Sequence, residues 1–328
     1  MRVLLTGGSG FLGSHIAEQL SAAGHQVRAL VRKSSNKKFL ESLSNVEFAF
    51  GSVEDAASVA SAVEGVDVII HSAGLVKARN AAEFHEVNVL GTQHLLDAAL
   101  ARAPKLKRFV HVSSLAAVGP SPDGRPVSGE REPNPVTNYG RSKLASERVV
   151  RAVQHLLPVT IIRPPMIYGP RDNESFAFFQ SIQRGVLPLL GDGQNTLSMI
   201  YVTDAASACV RAIDADVPSG SSYFVEDGVV YVWKEALEQL EASLGKRAFL
   251  RVGLPLGVLK LAAMGSEVVG KARNQAVMLT RDKVNELKER HWVCDATSTR
   301  KDLGWEPKVN WLDGTKTAAK WYRDNGWL

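Results

Sequence analysis

In "NPVTNYGRSKLASERV", residues 134–149, Tyr139 and Lys143 stand four positions apart at the start of a predicted helix. One turn separates them, so the phenol and the ammonium share a face. A tyrosine ordinarily titrates near ~10, too high to exchange protons readily at neutral pH. A lysine charge beside it favours the phenolate and is expected to lower that value. Ser114 ends the run "FVHVSS" upstream, where its hydroxyl could hold a substrate oxygen in place. Such a trio suits the interconversion of a carbonyl and an alcohol. Hydride arriving at carbon leaves an alkoxide that needs a proton, and the reverse reaction needs a base. The chain must then also hold a hydride carrier.

A place for that carrier lies at the N-terminal end. "TGGSGFLG" (6–13) sits between an apolar strand, "RVLLT" (2–6), and an amphipathic helix closed by Gly24. Gly7 permits a sharp turn, Gly10 lets the backbone approach a pyrophosphate, and Gly13 lets helix and strand pack closely. The amides of Gly10, Phe11 and Leu12 would face the phosphates at the positive end of the helix. The second strand, "QVRALVR" (26–32), ends in Arg32 and Lys33, with no carboxylate until Glu41. An acidic residue there would bind a ribose 2′-OH; a guanidinium suits a 2′-phosphate, favouring NADP(H), with NAD(H) the alternative. Arg32 could instead stack on adenine or lie in solvent. Ser72, Ala73 and Gly74 of "HSAG" would pass beneath the adenine ribose. Ser52 and Val53 of "GSVED" could border the adenine ring.

Further strands are expected at "VEFAFGS", "DVIIHSAG", "RFVHVSS" (108–114) and "VTIIRPP" (159–165). The helices between them include "FHEVNVLGTQHLLDAALAR", read as one long helix. This alternation implies βαβ units and a doubly wound parallel Rossmann-type sheet, an α/β fold. Buried parallel strands should read as near-continuous apolar runs, as these do. Residues 1–165 are assigned to the dinucleotide-binding domain. Residues 166–328 form a smaller, interleaved substrate-binding lobe, with segments near 197–232 returning to the sheet.

"TGGSGFLG", "HSAG", "NVLGT", "HVSSLAAVG", "YGRSK" and "RPPMIYGPRD" occur in the order and spacing of the extended short-chain dehydrogenase/reductases, the epimerase/dehydratase superfamily. The chain resembles that family from end to end. The resemblance implies that Tyr139 is the general acid/base, that Lys143 tunes it and grips the ribose, and that Ser114 is the third catalytic residue. It places Asn88, Val112, Pro164 and Pro165 on the nicotinamide side, with Ser113 and Met166 toward the substrate. Asp204 and Arg171 match frequent family residues and are read as structural. Two departures stand out. Met166 occupies a position where nucleotide-sugar enzymes often carry a diphosphate-binding asparagine, and Ser52 replaces an adenine-contacting aspartate. Later motifs look most like the branch of dihydroflavonol reductases and 3β-hydroxysteroid dehydrogenases, implying an NADP(H)-dependent reductase of a moderately apolar carbonyl. The alternatives are a nucleotide-sugar epimerase or dehydratase with tightly bound NAD, which the basic C-terminal lobe favours, and a non-catalytic cofactor-binding relative. Relatives commonly form homodimers, and Val89, Leu95, Leu96, Ala99 and Leu100 are compatible with a helical interface or with packing on the sheet.

The 328 residues are 45% hydrophobic and 22% charged, an ordinary globular composition with room for a large core. Cys209 and Cys294 are too few and too far apart for a disulfide framework or a zinc site, so a reducing cytoplasm is expected and no metal is assigned. "VGLPLGVLKLAAMGSEVVG" (252–270) carries Lys260, Glu267 and Pro255, and is read as a buried or surface-packed helix rather than a membrane span, its role as lid, core helix or membrane-facing patch left open. From Lys246 onward there are 16 Lys+Arg against 9 Asp+Glu, net +7; the remainder has 23 against 25, net −2. No basic cluster interleaved with aromatics suggests nucleic acid. Phe176, Phe178 and Phe179 could line a pocket or belong to the core.

Overall fold

Apolar runs that cannot satisfy their backbone polar groups alone pair side by side into one parallel sheet. The computed structural model describes residues 1–129 and 131–328. The first half supplies β1 (Arg2–Thr6), α1 (Phe11–Ala22), β2 (Gln26–Val31), β3 (Val46–Phe50), α2 (Ala56–Val63) and β4 (Val68–His71). Next come α3 (Ala81–Phe84), a π-helical stretch (His85–Leu90), α4 (Gly91–Arg102), β5 (Arg108–Val112), α5 (Asn138–Ala152) and β6 (Val159–Arg163). The second half contributes β7 (Met166–Tyr168), α6 (Phe176–Gln183), β8 (Val186–Leu190), β9 (Thr196–Leu197), β10 (Met199–Tyr201), α7 (Val202–Arg211) and β11 (Ser221–Phe224). β12 (Tyr231–Val232), α8 (Trp233–Leu244), β13 (Leu250–Leu254), α9 (Leu256–Ala272), α10 (Arg281–Leu287), β14 (His291–Trp292), α11 (Thr297–Leu303) and α12 (Trp311–Asp324) complete it.

The main sheet runs β11-β6-β5-β4-β1-β2-β3, with every pairing parallel. Its order reverses at β1 and β4, which opens a crevice beyond their carboxyl ends. Every residue of β4, β5 and β6 is buried, while β3 at the edge leaves Phe50 53% exposed. One apolar layer on the sheet is built by α1 and α7, the other by α2, α4 and α5. β11 joins the main sheet, whereas β7 and β10 pair apart from it and β9 joins β12 and β14. Phe179 is wholly buried in a second core, with Phe176 against Tyr322 and Phe178 against Trp233, so these three are core rather than pocket.

One expectation needs correction, and two open readings are narrowed. The long helix expected through "FHEVNVLGT" is not uniform: residues 85–90 widen into a π-helical turn, and Gly91 N–H donates to the Glu86 carbonyl five residues back. Val89, Leu95, Leu96 and Ala99 are buried within the chain itself, leaving only Leu100 of the five partly exposed. Leu95, Leu96 and Ala99 pack in the apolar layer on the sheet, one of the two readings offered for them. Residues 252–254 belong to β13, and α9 buries only Leu259, Ala263 and Gly270. Of the two readings, buried or surface-packed, the surface-packed one holds, and the outer apolar face is exposed.

Arg171 ties the second half of the chain to α1, and Asp204 ties α7 to the segment that leads into α12. Arg171 adopts a left-handed backbone, φ 75°, and bonds Ser14 Oγ at 3.0 Å while pairing with Glu18 of α1. Asp204 accepts from the Lys308 and Val309 amides, both at 2.9 Å. Within the sheet, Arg163 at the end of β6 holds Glu147 of α5 through two bonds, at 2.9 and 2.6 Å, both side chains buried. Removing one partner of such a pair strands a charge in a dry interior. Glu147→Gln should therefore lower unfolding free energy by about 3 kcal/mol, read as a fall in the urea midpoint at unchanged slope.

Candidate active site

Three segments meet at the carboxyl end of β5. Ser114 follows that strand and caps a short 3-10 turn (Leu115–Ala117), accepting from the Ala116 amide at 3.1 Å. Thr137 caps α5, accepting from the Gly140 amide at 3.0 Å. Gly140 is required by approach: a Cβ there would stand 2.3 Å from the Ala116 carbonyl oxygen. Its lack of a side chain lets the first turn of α5 lie on the turn carrying Ser114, which brings Tyr139 to that serine. Ser114 is half-buried, whereas Ser113 is buried and its hydroxyl has no hydrogen-bond partner. Ser114, not Ser113, is the serine close enough to the phenol to favour its ionised form.

The tyrosine departs from expectation. Burial pushes its hydroxyl up to about 12, the Ser114 hydrogen bond opposes that, and the carboxylates of Glu286 and Glu174 add to the rise. Lys143 does not lower it here, because its buried ammonium points to the strand end and donates to the Val112 carbonyl at 2.7 Å. Burial brings that ammonium down to about 8, with Glu147 one turn further along working in the opposite direction. At neutral pH the pair is thus a protonated phenol above a charged lysine, the state needed to give a proton rather than take one.

Asn88 sits inside the π-helical turn. Its Oδ1 accepts from the Leu75 amide at 2.7 Å, and its Nδ2 donates to the Leu75 carbonyl and to Ser142 Oγ of α5. It thereby ties the segment after β4 to the Tyr139 helix. π-turns recur at functional sites because the wide turn redirects one side chain. Beneath lies a network that sequence reasoning missed. His71 links Thr6 Oγ1 at 2.7 Å to Thr92 Oγ1 at 2.9 Å, and Thr92 donates to the Asn88 carbonyl. His111, its neighbour across the sheet, bonds Ser146 Oγ at 2.9 Å. Burial first, and then the Lys143 charge, hold both imidazoles well below the usual range, His71 at about 3. Both are neutral. The one available signal was a histidine placed inside each of two apolar strands.

The crevice at β1 and β4 fits a dinucleotide. Gly7 has φ 73°, and a Cβ on it would press the Ala73 amide at 2.7 Å. A Cβ on Gly13 would stand 2.1 Å from the Gly7 carbonyl oxygen, whereas one on Gly10 would meet only that oxygen, at 3.2 Å. The N-terminus of α1 has no side-chain cap and no acidic residue in its first turn, so the amides beyond Gly10 are open to an anion. Ser72 and Ala73 donate their amides to Thr6, placing the "HSAG" turn against the phosphate loop. Gly74 abuts Asn88. Arg32 and Lys33, just past β2, are exposed and make no ion pair among the described residues. Val53 is buried, its carbonyl accepting from His94, and Ser52 bonds Ser58 at the rim. Pro164 accepts from the Leu115 amide. Pro165 is half-buried, and Met166 packs against the second core.

On the substrate side, α10 docks on α5: Asp282 accepts from the Asn138 amide at 2.9 Å. Asn138, Lys260, Met264, Glu267, Arg281, Asp282 and Asn285 line an open depression of about 490 Å³. Asn138 belongs to its lining, but Tyr139, Ser114 and Lys143 do not.

Comparison with known proteins identifies the family. Residues 3–225 match the NAD dependent epimerase/dehydratase family. A ceramide reductase of Caulobacter vibrioides is 33% identical over 330 residues, spanning 99% of this chain and 96% of that protein. A 2-alkyl-3-oxoalkanoate reductase of Stenotrophomonas maltophilia is 28% identical over 339 residues, 96% of this chain and 98% of that one. The crystal structure of a dTDP-glucose 4,6-dehydratase from Streptomyces venezuelae, with NAD bound, matches with a TM-score of 0.82 at 27% identity, covering 100% of this chain and 99% of that chain. The family match alone takes in more than half of the residues, and the chain belongs to the NAD-dependent epimerase/dehydratase family of extended short-chain dehydrogenase/reductases, enzymes that use NAD(P).

Proposed function

We propose that the chain is an NADP(H)-dependent oxidoreductase that interconverts a ketone or aldehyde and an alcohol on a moderately apolar small molecule. The observation that carries this reading is the half-buried Tyr139 phenol, brought beside Ser114 by the close approach of Gly140 to Ala116 and standing one turn from Lys143. The bound nicotinamide supplies or accepts the hydride. Ser114 positions the carbonyl oxygen, and Tyr139 gives that oxygen its proton as negative charge develops there. The Lys143 ammonium rests on the Val112 carbonyl with donors left to grip a ribose, and it would steady the phenolate only on turning toward it. Asn88 keeps the chain after β4 in register with α5.

Arg32 and Lys33, exposed and free of carboxylate partners, support a 2′-phosphate and hence NADP(H). Met166 in place of a polar residue supports an apolar substrate. So do the names of the two reductase relatives. The dehydratase likeness favours a second reading, a nucleotide-sugar epimerase or dehydratase that returns the hydride to its substrate. Against it, the residue after Ser114 is Leu115, where a dehydratase wants an acid.

Three outcomes test the proposal. Tyr139→Phe should cut carbonyl reduction by about 10²–10⁴-fold while leaving NADPH fluorescence titration nearly unchanged; retained turnover would remove the acid role. Arg32→Ala should weaken NADPH by about tenfold or more and hardly affect NADH; an equal loss for both coenzymes would contradict a 2′-phosphate contact. Reduction should decline as pH rises through about 8, where Lys143 loses its charge. In Lys143→Arg, slower but permanently charged, that alkaline limb should move upward; a limb still near 8 would point to another group.

A further inference from the structure

α9 is turned inside out relative to an ordinary surface helix. Leu261, Met264, Gly265, Val268 and Ala272 recur at i, i+3, i+4, i+7 and i+11, the spacing of one helical face, and all are exposed. Leu261 is 70% exposed and Val268 68%. The opposite face, through Leu259, Ala263 and Gly270, is the one that meets the protein. Lys260, Lys271 and Arg273 flank the apolar stripe and make no ion pair among the described residues. The helix's single carboxylate, Glu267, is bound by Arg281 at 2.8 Å. Over residues 246–278 there are six Lys or Arg against that one acid.

We propose that this face of α9 docks on an anionic lipid surface, lying in the plane of the interface. Among the described residues, no helix is long and apolar enough to cross a membrane. A helix with an apolar face and basic flanks binds instead at the headgroup boundary, through buried area and attraction to anionic lipid. The charge selects this occupant over a second copy of the chain, because a symmetric pairing would set the same unpaired cations against one another. Lys260, Met264 and Glu267 of this helix also line the open depression that includes Asn138 of α5. A carbonyl compound held in a bilayer would approach α5 from the docked side. That use rests on the proposed reaction; the docking itself does not.

The test is flotation of the purified full chain with vesicles of phosphatidylcholine alone, or of phosphatidylcholine mixed with phosphatidylglycerol. Binding is expected with the anionic vesicles and should weaken as salt is added. Lys271→Gln should bind about fivefold more weakly. Leu261→Glu combined with Val268→Glu should lose about tenfold or more, with an unchanged melting midpoint and unchanged reduction of a water-soluble ketone. Failure of the parent chain to float with anionic vesicles would overturn the proposal, as would equal binding to neutral ones. So would a dimer in light scattering that the double substitution splits without vesicle binding, since the face would then be a self-interface. Flotation without carbonyl reduction would leave the docking surface standing and remove the reaction assigned to it.

Discussion

A lysine ammonium enclosed at the end of a central strand is the constraint around which the rest is arranged. Its burial is costly enough to bring it down to about 8. What keeps it charged at neutral pH is a short alternating row: Lys143 on the Val112 carbonyl, Glu147 one turn on, and Arg163 gripping Glu147 from β6. Two of the three lie on one face of α5 and the third on the neighbouring strand. The helix that presents the phenol is thus fastened to the sheet by the charges that also tune its partner.

The environment that surrounds the row is selective about charge. His71 and His111 lie side by side, ring centres 5.4 Å apart, and neither carries a proton at neutral pH. They serve as hydrogen-bonding spacers that fill the volume under Lys143 without competing with its charge. Through Thr6, His71 also touches the loop that carries the phosphate-binding glycines. Cofactor turn, π-helical asparagine and lysine therefore share one buried polar network, satisfied almost throughout, which fixes their relative placement.

The sheet was legible because its strands are buried on both faces and read as apolar runs broken by glycines. The Tyr139 helix was legible because Thr137, Gly140 and the four-residue spacing are local signals. Each element of the phosphate turn is likewise set by its own neighbours. What escaped depends on contacts remote in sequence. The rise of Tyr139 toward 12 comes from burial and from Glu174 and Glu286, which lie 35 and 147 positions downstream. The histidine network needs β1, β4, β5, α4 and α5 to be assembled before any of its bonds exists. The apolar segment around residue 260 had the composition of an interior helix. Only the assembled fold reveals which side of it faces out.

The wide turn at residues 85–90 has one more consequence. It inserts a fraction of an extra residue into a helix that is otherwise of ordinary pitch, so the direction of Asn88 is set by chain length as well as by residue type. Loss of a single residue from this stretch would restore the regular winding and swing whatever precedes it by about 100° relative to α4. The amide would leave Leu75 and Ser142 even though no polar group had been altered. At this position the chain encodes function in its spacing, and an alignment that closes the gap would conceal the difference.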